Sequence, residues 1–234
     1  MEPTENFANA YEEVRSGAIS SSSNPNFLTI WQKLTQVCCF PGLVIPNYMD
    51  NQDAKFKRLL SVLSEIAIVG RDKVIIFSTF TGSIRMLEAF ISSQFGQNSI
   101  MTINGEVPAF DRKSIVDRFN QSQGFAVLII NPKSGGAGLN ITGANHVIHF
   151  NRQWNPAVER QATARAYRRN QEKTVFVHLF FYSNTIEQVI DERLRGKELL
   201  SEAALEAALH EDEDIAKAKA MLISPVRLNI EREK

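Results

Sequence analysis

The sequence predicts an α/β chain: a parallel sheet with helices on both faces, preceded by an N-terminal helical segment and followed by C-terminal helices. Two observations predict it. Between Lys73 and Phe180, short apolar runs alternate with stretches of helical spacing, the pattern of strand–helix–strand units. Several of those runs end in small polar residues, namely Ser78-Thr79, Asn104-Gly105 and Asn131 to Gly138. Ligands of such sheets sit at the carboxyl ends of the strands.

The elements follow in order. Phe7 to Val14 is a possible helix ahead of a serine-rich tether, and Phe27 to Cys39 is amphipathic and stopped by Pro41. Asp53 to Ile68 has Phe56, Leu59, Leu60, Leu63 and Ile66 as its apolar stripe. Lys73 to Ser78 reads as a buried parallel-type strand. A helix is expected over Ile84 to Gln94, a strand over Ile100 to Ile103 and a helix over Phe110 to Asn120. Strands are expected over Ala126 to Ile130, His146 to Phe150 and Thr174 to Phe180. Asn184 to Leu209 reads as helical, bent or broken near Gly196, with a charged tail beyond. The expected division is residues 1–52 as tail and helical linker, 53–182 as the α/β domain and 183–234 as C-terminal helices and tail.

The chain has 26 Lys and Arg against 26 Asp and Glu, a formal net charge of zero. No global basic field advertises a polyanion, so any such binding must be local. The two cysteines, Cys38 and Cys39, are adjacent, which suits neither a zinc site nor an ordinary disulfide and implies a reducing compartment. No apolar run is long enough to span a bilayer, and the acidic N-terminus has no signal-peptide core. A soluble intracellular protein is expected, cytoplasmic and nucleoid-associated in a prokaryote, nuclear in a eukaryote.

The informative stretch is Val127 to Gln171. A buried-strand run leads into Lys133, Ser134, Gly135, Gly136 and Gly138, where glycines let bare backbone amides approach phosphate. Further on, Asn155 suits an N-cap, Pro156 the first helical position and Glu159 the first turn. In the helix expected there, Gln161, Arg165 and Arg168 fall at i, i+4 and i+7 and share a face. Two guanidiniums a turn apart repel unless an anion lies between them. Loop and arginines together point to nucleotide or nucleic acid. His146, His149 and His178 lie in strands with no carboxylate or cysteine at ligand spacing and read as structural; no metal site is expected.

With these residues in view, the chain resembles the second, RecA-like lobe of Swi/Snf-type DNA translocases of helicase superfamily two. The likeness runs from about Leu34 to Leu200 and keeps the family's order. LTQVCCFP resembles the segment before the lobe, and VIIFSTFTGSIRMLEAFI resembles motif IV. ING with DRKSIVDRFN resembles the next pair, KSGGAGLNIT motif V, FNRQWNP the W-N-P element and QATARAYRRNQ motif VI. TIEQVIDERLRGK resembles the brace that packs toward the first lobe. Departures are Ala164 for an acidic residue, Tyr167 for histidine, Asn170 for glycine, Asn151 for aspartate, and Asn131-Pro132 for a Ser/Thr pair.

The resemblance implies half of an ATP-driven motor on double-stranded DNA. Arg165, Arg168 and Gln161 would serve catalysis at ATP whose Mg2+ is held by a separate first lobe, since no phosphate loop or paired-acid box occurs in this sequence. Gly136, Gly138 and Asn140 would lie at the nucleotide. Ser78, Thr79, Gly105, Asn131, Lys133 and Ser134, with Trp154 near the duplex, would contact DNA without reading its sequence; a capping core aromatic is an equal reading of Trp154. Partners implied are the first lobe, non-specific duplex DNA and proteins of a repair, transcription or defence system. The fragment alone is expected to be inactive. The alternative is a non-catalytic RecA-like domain that docks a partner. A Rossmann-type dinucleotide site is disfavoured because the loop lacks the third fingerprint glycine.

Overall fold

The computed structural model of the chain describes residues 1–20, 27–48, 53–134, 138–168, 171–198 and 216. The chain divides into two compact units: one of Met1–Phe56, Arg152–Pro156 and Phe181–Lys234, the other of Lys57–Asn151 and Ala157–Phe180.

The second unit carries the sheet. Its strands are β1 (Lys73–Phe77), β2 (Ile100–Ile103), β3 (Ala126–Ile130), β4 (His146–His149) and β5 (Phe176–Leu179). Their spatial order is β2-β3-β1-β4-β5, and every pairing is parallel. β1 and β3, at the interior of the sheet, are buried at all five positions, as their unbroken apolar sequences require. β5 is an edge strand, and Phe176, Val177 and Leu179 are exposed on it.

Helices α4 (Thr81–Phe95), α5 (Ala109–Gln121) and α6 (Pro156–Thr163) belong to this unit apart from Pro156. Val116 and Phe119 of α5 and Ala162 of α6 join Ile75, Phe77, Leu128, Ile130 and Val147 in one apolar cluster. That packing fixes where the strand-end loops lie.

The first unit is helical. α1 (Glu5–Ser20) is longer than its apolar stripe suggests, α2 (Phe27–Cys39) has the expected bounds, and α7 spans Ile186–Glu198. The helix runs through Gly196 without a break; the expected continuation to Leu209 lies outside the described residues. Helix α3 (Ala54–Val69) has its first turn in this unit and residues 57–69 in the other. It starts behind Asp53, whose Oδ1 accepts the Lys55 and Phe56 amides at 2.9 and 3.2 Å, the N-cap role of a short carboxylate.

The core of this unit sets Phe7 against Tyr182 at 3.9 Å between ring centroids. It also buries an ion pair, Lys55 Nζ to Glu187 Oε1 at 2.7 Å, with both side chains at 0% exposure. Lys55 Nζ donates as well to the Cys38 carbonyl at 2.8 Å, and the Tyr182 hydroxyl donates to Asp53 Oδ1 at 2.7 Å. Burial raises the Glu187 carboxyl above its ordinary range. Among the described residues no helix is long and apolar enough to cross a membrane.

Candidate nucleotide and nucleic-acid site

Parallel strands end together, so the residues after β1, β2, β3 and β4 meet along one edge of the sheet. Backbone bonds carry the ladder past the strands: Ser78 N–H donates to the Ile130 carbonyl at 3.2 Å and Asn131 N–H to that of Ile103 at 3.1 Å. Two asparagines then lock the edge. Asn151 Oδ1 accepts the Thr79 amide at 3.0 Å while its Nδ2 donates to Thr79 Oγ1 at 2.8 Å. Asn131 Nδ2 donates to the Thr79 carbonyl at 2.6 Å, and its Oδ1 accepts the Lys133 amide at 2.8 Å. An aspartate at 151 could accept but not donate, so the asparagine makes a two-way grip.

Ser78, expected to face DNA, is instead fully buried. Its hydroxyl pairs with Ser83 Oγ at 2.6 Å and reaches Asn151 Oδ1 at 3.5 Å, because the side chain points under α4 rather than out of the edge. Thr79, Asn131 and Ser134 are half-buried, whereas Gly105 and Lys133 are exposed. Trp154 belongs to the other unit. It is half-buried, meets Trp31 edge-on at 4.7 Å and lies under the Arg193 guanidinium at 3.9 Å.

The arginine region departs from the expected continuous helix. α6 ends at Thr163, and Arg165 N–H turns back to the Ala162 carbonyl at 3.2 Å, a tightened last turn. Gln161, Arg165 and Arg168 therefore do not share one helical face. Gln161 and Arg168 are exposed and Arg165 is buried at 4%. A buried His149 sits behind the turn, stacked on Phe77 at 5.3 Å, with Nε2 2.9 Å from Thr163 Oγ1.

Arg165 joins the two ends of the glycine loop. Its Nη2 donates to the Pro132 carbonyl at 2.9 Å, and its own carbonyl accepts the Ile141 amide at 3.0 Å. Its Nη1 is buried and has no partner among the described residues. Burial, and after it the charge of Arg168, pulls the guanidinium below its ordinary pKa. A cation with no carboxylate and a spare buried donor among the described residues is costly as it stands and is well suited to receive an anion.

Gly138 is exposed at φ +126°, a backbone conformation that side chains rarely adopt. Asn140 is also exposed, with its carbonyl held by Asn120 Nδ2 at 3.0 Å. Gly136 lies outside the described residues.

Arg112, at its expected place in the DRKSIVDRFN stretch, receives no role from the sequence. Its Nε donates to the Val107 carbonyl at 2.9 Å and its Nη1 to the Ser134 carbonyl, so it staples the start of α5 to the glycine loop. Spacing carries no signal for such a contact. The histidines also need correction: Asp72, just ahead of β1, brings Oδ2 within 3.6 Å of His146 Nε2, a carboxylate partner that strand spacing could not reveal. Among the described residues no group of three or more His, Cys, Asp or Glu side chains could hold a metal.

The model of the helicase conserved C-terminal domain matches residues 54–170, which contain the sheet edge, glycine loop and arginine turn. The chain belongs to that family. A solved SWI2/SNF2 ATPase C-terminal domain from Sulfolobus solfataricus matches with a TM-score of 0.69 at 26% identity, covering 97% of this chain and 96% of that one. The SWI2/SNF2 ATPase core of the same organism, solved in complex with double-stranded DNA, matches with a TM-score of 0.72 at 25% identity, covering 98% of this chain and 49% of that one. The DNA repair and recombination protein RAD54 of Saccharomyces cerevisiae is 32% identical over 168 residues, 71% of this chain and 18% of that protein. This helicase C-terminal domain is thus the second RecA-like lobe of the Swi2/Snf2 kind, and it spans about a fifth of the length of the curated relatives it matches.

Proposed function

We propose that this lobe is half of an ATP-driven motor on duplex DNA, and that it completes a nucleotide site whose phosphate loop and Mg2+ ligands reside on a first lobe. The observation that carries the proposal is the buried Arg165 guanidinium at the glycine loop, whose Nη1 has no partner among the described residues. It fits a phosphate oxygen, and the exposed Arg168 follows it within one turn of chain. Mg2+ on the first lobe would neutralise phosphate charge. Here the arginines orient and stabilise the terminal phosphate, Gln161 adds a hydrogen bond, and Gly138 and Asn140 line the approach.

An arginine supplied across such a site accelerates phosphoryl transfer by roughly a thousandfold or more. DNA lies along the strand-end edge on Thr79, Gly105, Asn131, Lys133 and Ser134 of the sheet-bearing unit. Ser78 supports that edge from beneath. These contacts go to phosphates, so binding is non-specific and weakens with salt. Alternate closing and opening of two lobes around ATP gives stepwise movement.

The test is ATP hydrolysis by the longer protein carrying both lobes. Duplex DNA should stimulate it, Arg168→Ala should abolish it, and Arg168→Lys should not restore it, because a point charge lacks the planar fork. Full activity in Arg168→Ala refutes the role given to Arg168, whereas a two-lobed protein that hydrolyses no ATP leaves a RecA-like docking domain.

A further inference from the structure

The first turn of α5 presents an unexplained aromatic. Phe110 is 81% exposed; single exposed apolar side chains are ordinary, and what distinguishes this one is its place and the charges around it. Helical Cα–Cβ bonds tilt toward the helix N-terminus, and the start of α5 follows the end of β2 at the strand-end edge. Arg112 fixes that start against the glycine loop through the Val107 and Ser134 carbonyls. Lys113, also exposed, follows at the i+3 position and shares the face with Phe110.

The surroundings are cationic. Arg85, Arg112, Lys113 and Lys133 stand against Glu106, Asp111 and the exposed Asp117 one turn beyond Lys113, and Glu106 is already engaged by Arg85. Among the described residues Arg112 meets only carbonyl oxygens, so no carboxylate there neutralises its charge. A large apolar ring set among excess cations suits a partner that offers phosphates flanking an apolar surface. Duplex DNA does so in its minor groove, where sugar edges lie between two phosphate rows.

We propose that Phe110 packs into the minor groove of the bound duplex while Lys113 takes an adjacent phosphate, adding a salt-insensitive contact to an otherwise electrostatic interface. The proposal rests on the reading of the strand-end edge as DNA-facing.

The experiment is fluorescence anisotropy of a labelled duplex with the chain over a salt series. Phe110→Ala should weaken binding roughly tenfold, the size of one aromatic contact to nucleic acid, at unchanged dependence on salt. Lys113→Gln should instead lower the slope of log affinity against log salt by about one. The indole introduced by Phe110→Trp should retain affinity and show DNA-dependent quenching beyond that of the parent. If Lys133→Gln weakens binding while Phe110→Ala binds like the parent, or if the added indole is unaffected by duplex, this inference alone is overturned. A parent chain with no affinity for duplex overturns it together with the DNA-facing reading.

Discussion

Two polar clusters lie at opposite ends of the same sheet, and they differ in what they leave over. At the starts of β4 and β5, charges close on one another. Lys173 Nζ pairs with Asp72 Oδ1 at 2.7 Å, Asp72 faces His146, and His146 Nδ1 lies 3.2 Å from His178 Nε2. His146 is also stacked on Phe176 at 5.1 Å. At the strand ends, asparagines and Arg112 spend their bonds on holding loops, and among the described residues Arg165 keeps a buried donor unspent. The first cluster serves the fold. The second holds a cation in a place that costs stability, which a protein tolerates where the cation has work to do.

The largest effect should come from breaking that asymmetry at Arg165. Arg165→Met removes the buried charge at similar length, so the lobe should melt at or above the parent temperature. In the protein carrying both lobes, hydrolysis should fall by roughly a thousandfold or more. Calorimetry on the lobe and a steady-state assay separate the two. A variant that loses stability and keeps its rate would make Arg165 an ordinary structural residue.

At the other end the pattern should invert. Asp72→Ala removes the Lys173 hydrogen bond and the His146 contact. It should cost about 1 kcal/mol, the scale of a part-exposed hydrogen bond, in denaturant unfolding. DNA-stimulated hydrolysis should be unchanged, and a large loss of activity would mean that this corner feeds the site.

Asn151 gives a comparable cost at the functional edge. Asn151→Asp converts the donor facing Thr79 Oγ1 into an acceptor and keeps the acceptor facing the Thr79 amide. The Thr79 hydroxyl can turn to donate, so the expected loss is small, roughly 0.5–1 kcal/mol. Asn151→Ala forfeits both sides and should cost about 1–3 kcal/mol, read from the midpoint of urea unfolding. Equal stability of the two variants would mean that the grip on Thr79 does not hold the edge.

How much of this was legible follows from the kind of signal each feature leaves. The strands β1 and β3 announce themselves because burial on both faces demands unbroken apolar runs. The glycine loop and arginines are visible because their residue types are costly without an anion. The end of α6 at Thr163 was not visible: Ala164, Arg165 and Ala166 are all good helix formers. There the chain leaves the helix because the Ile141 amide takes the Arg165 carbonyl, a tertiary bond with no local trace. The Lys55–Glu187 pair was hidden likewise, since a lysine and a glutamate on separate helices read as surface charges. Ser78 was misplaced because residues just past a strand end can point into the edge or beneath it, and composition does not choose between them.

The smallest effect concerns pH and tests whether the histidine corner is purely a fold device. Burial lowers the pKa of both imidazoles below the ordinary 6.5; for His146 the nearby Asp72 opposes the shift, and for His178 the neighbouring His146 adds to it. Below 6.5 the unfolded chain takes up protons that the folded lobe resists. The stability these rings contribute is therefore complete above pH 6.5 and is lost as pH falls from there through their lowered folded values. His178→Asn should flatten that slope, and the double variant with His146→Asn should flatten it further. Asp72→Ala should steepen it, since its carboxylate favours the protonated His146. Unfolding midpoints between pH 7.5 and 5 measure all of these. A parent slope that survives both histidine replacements would move the titration elsewhere and leave the corner as neutral packing.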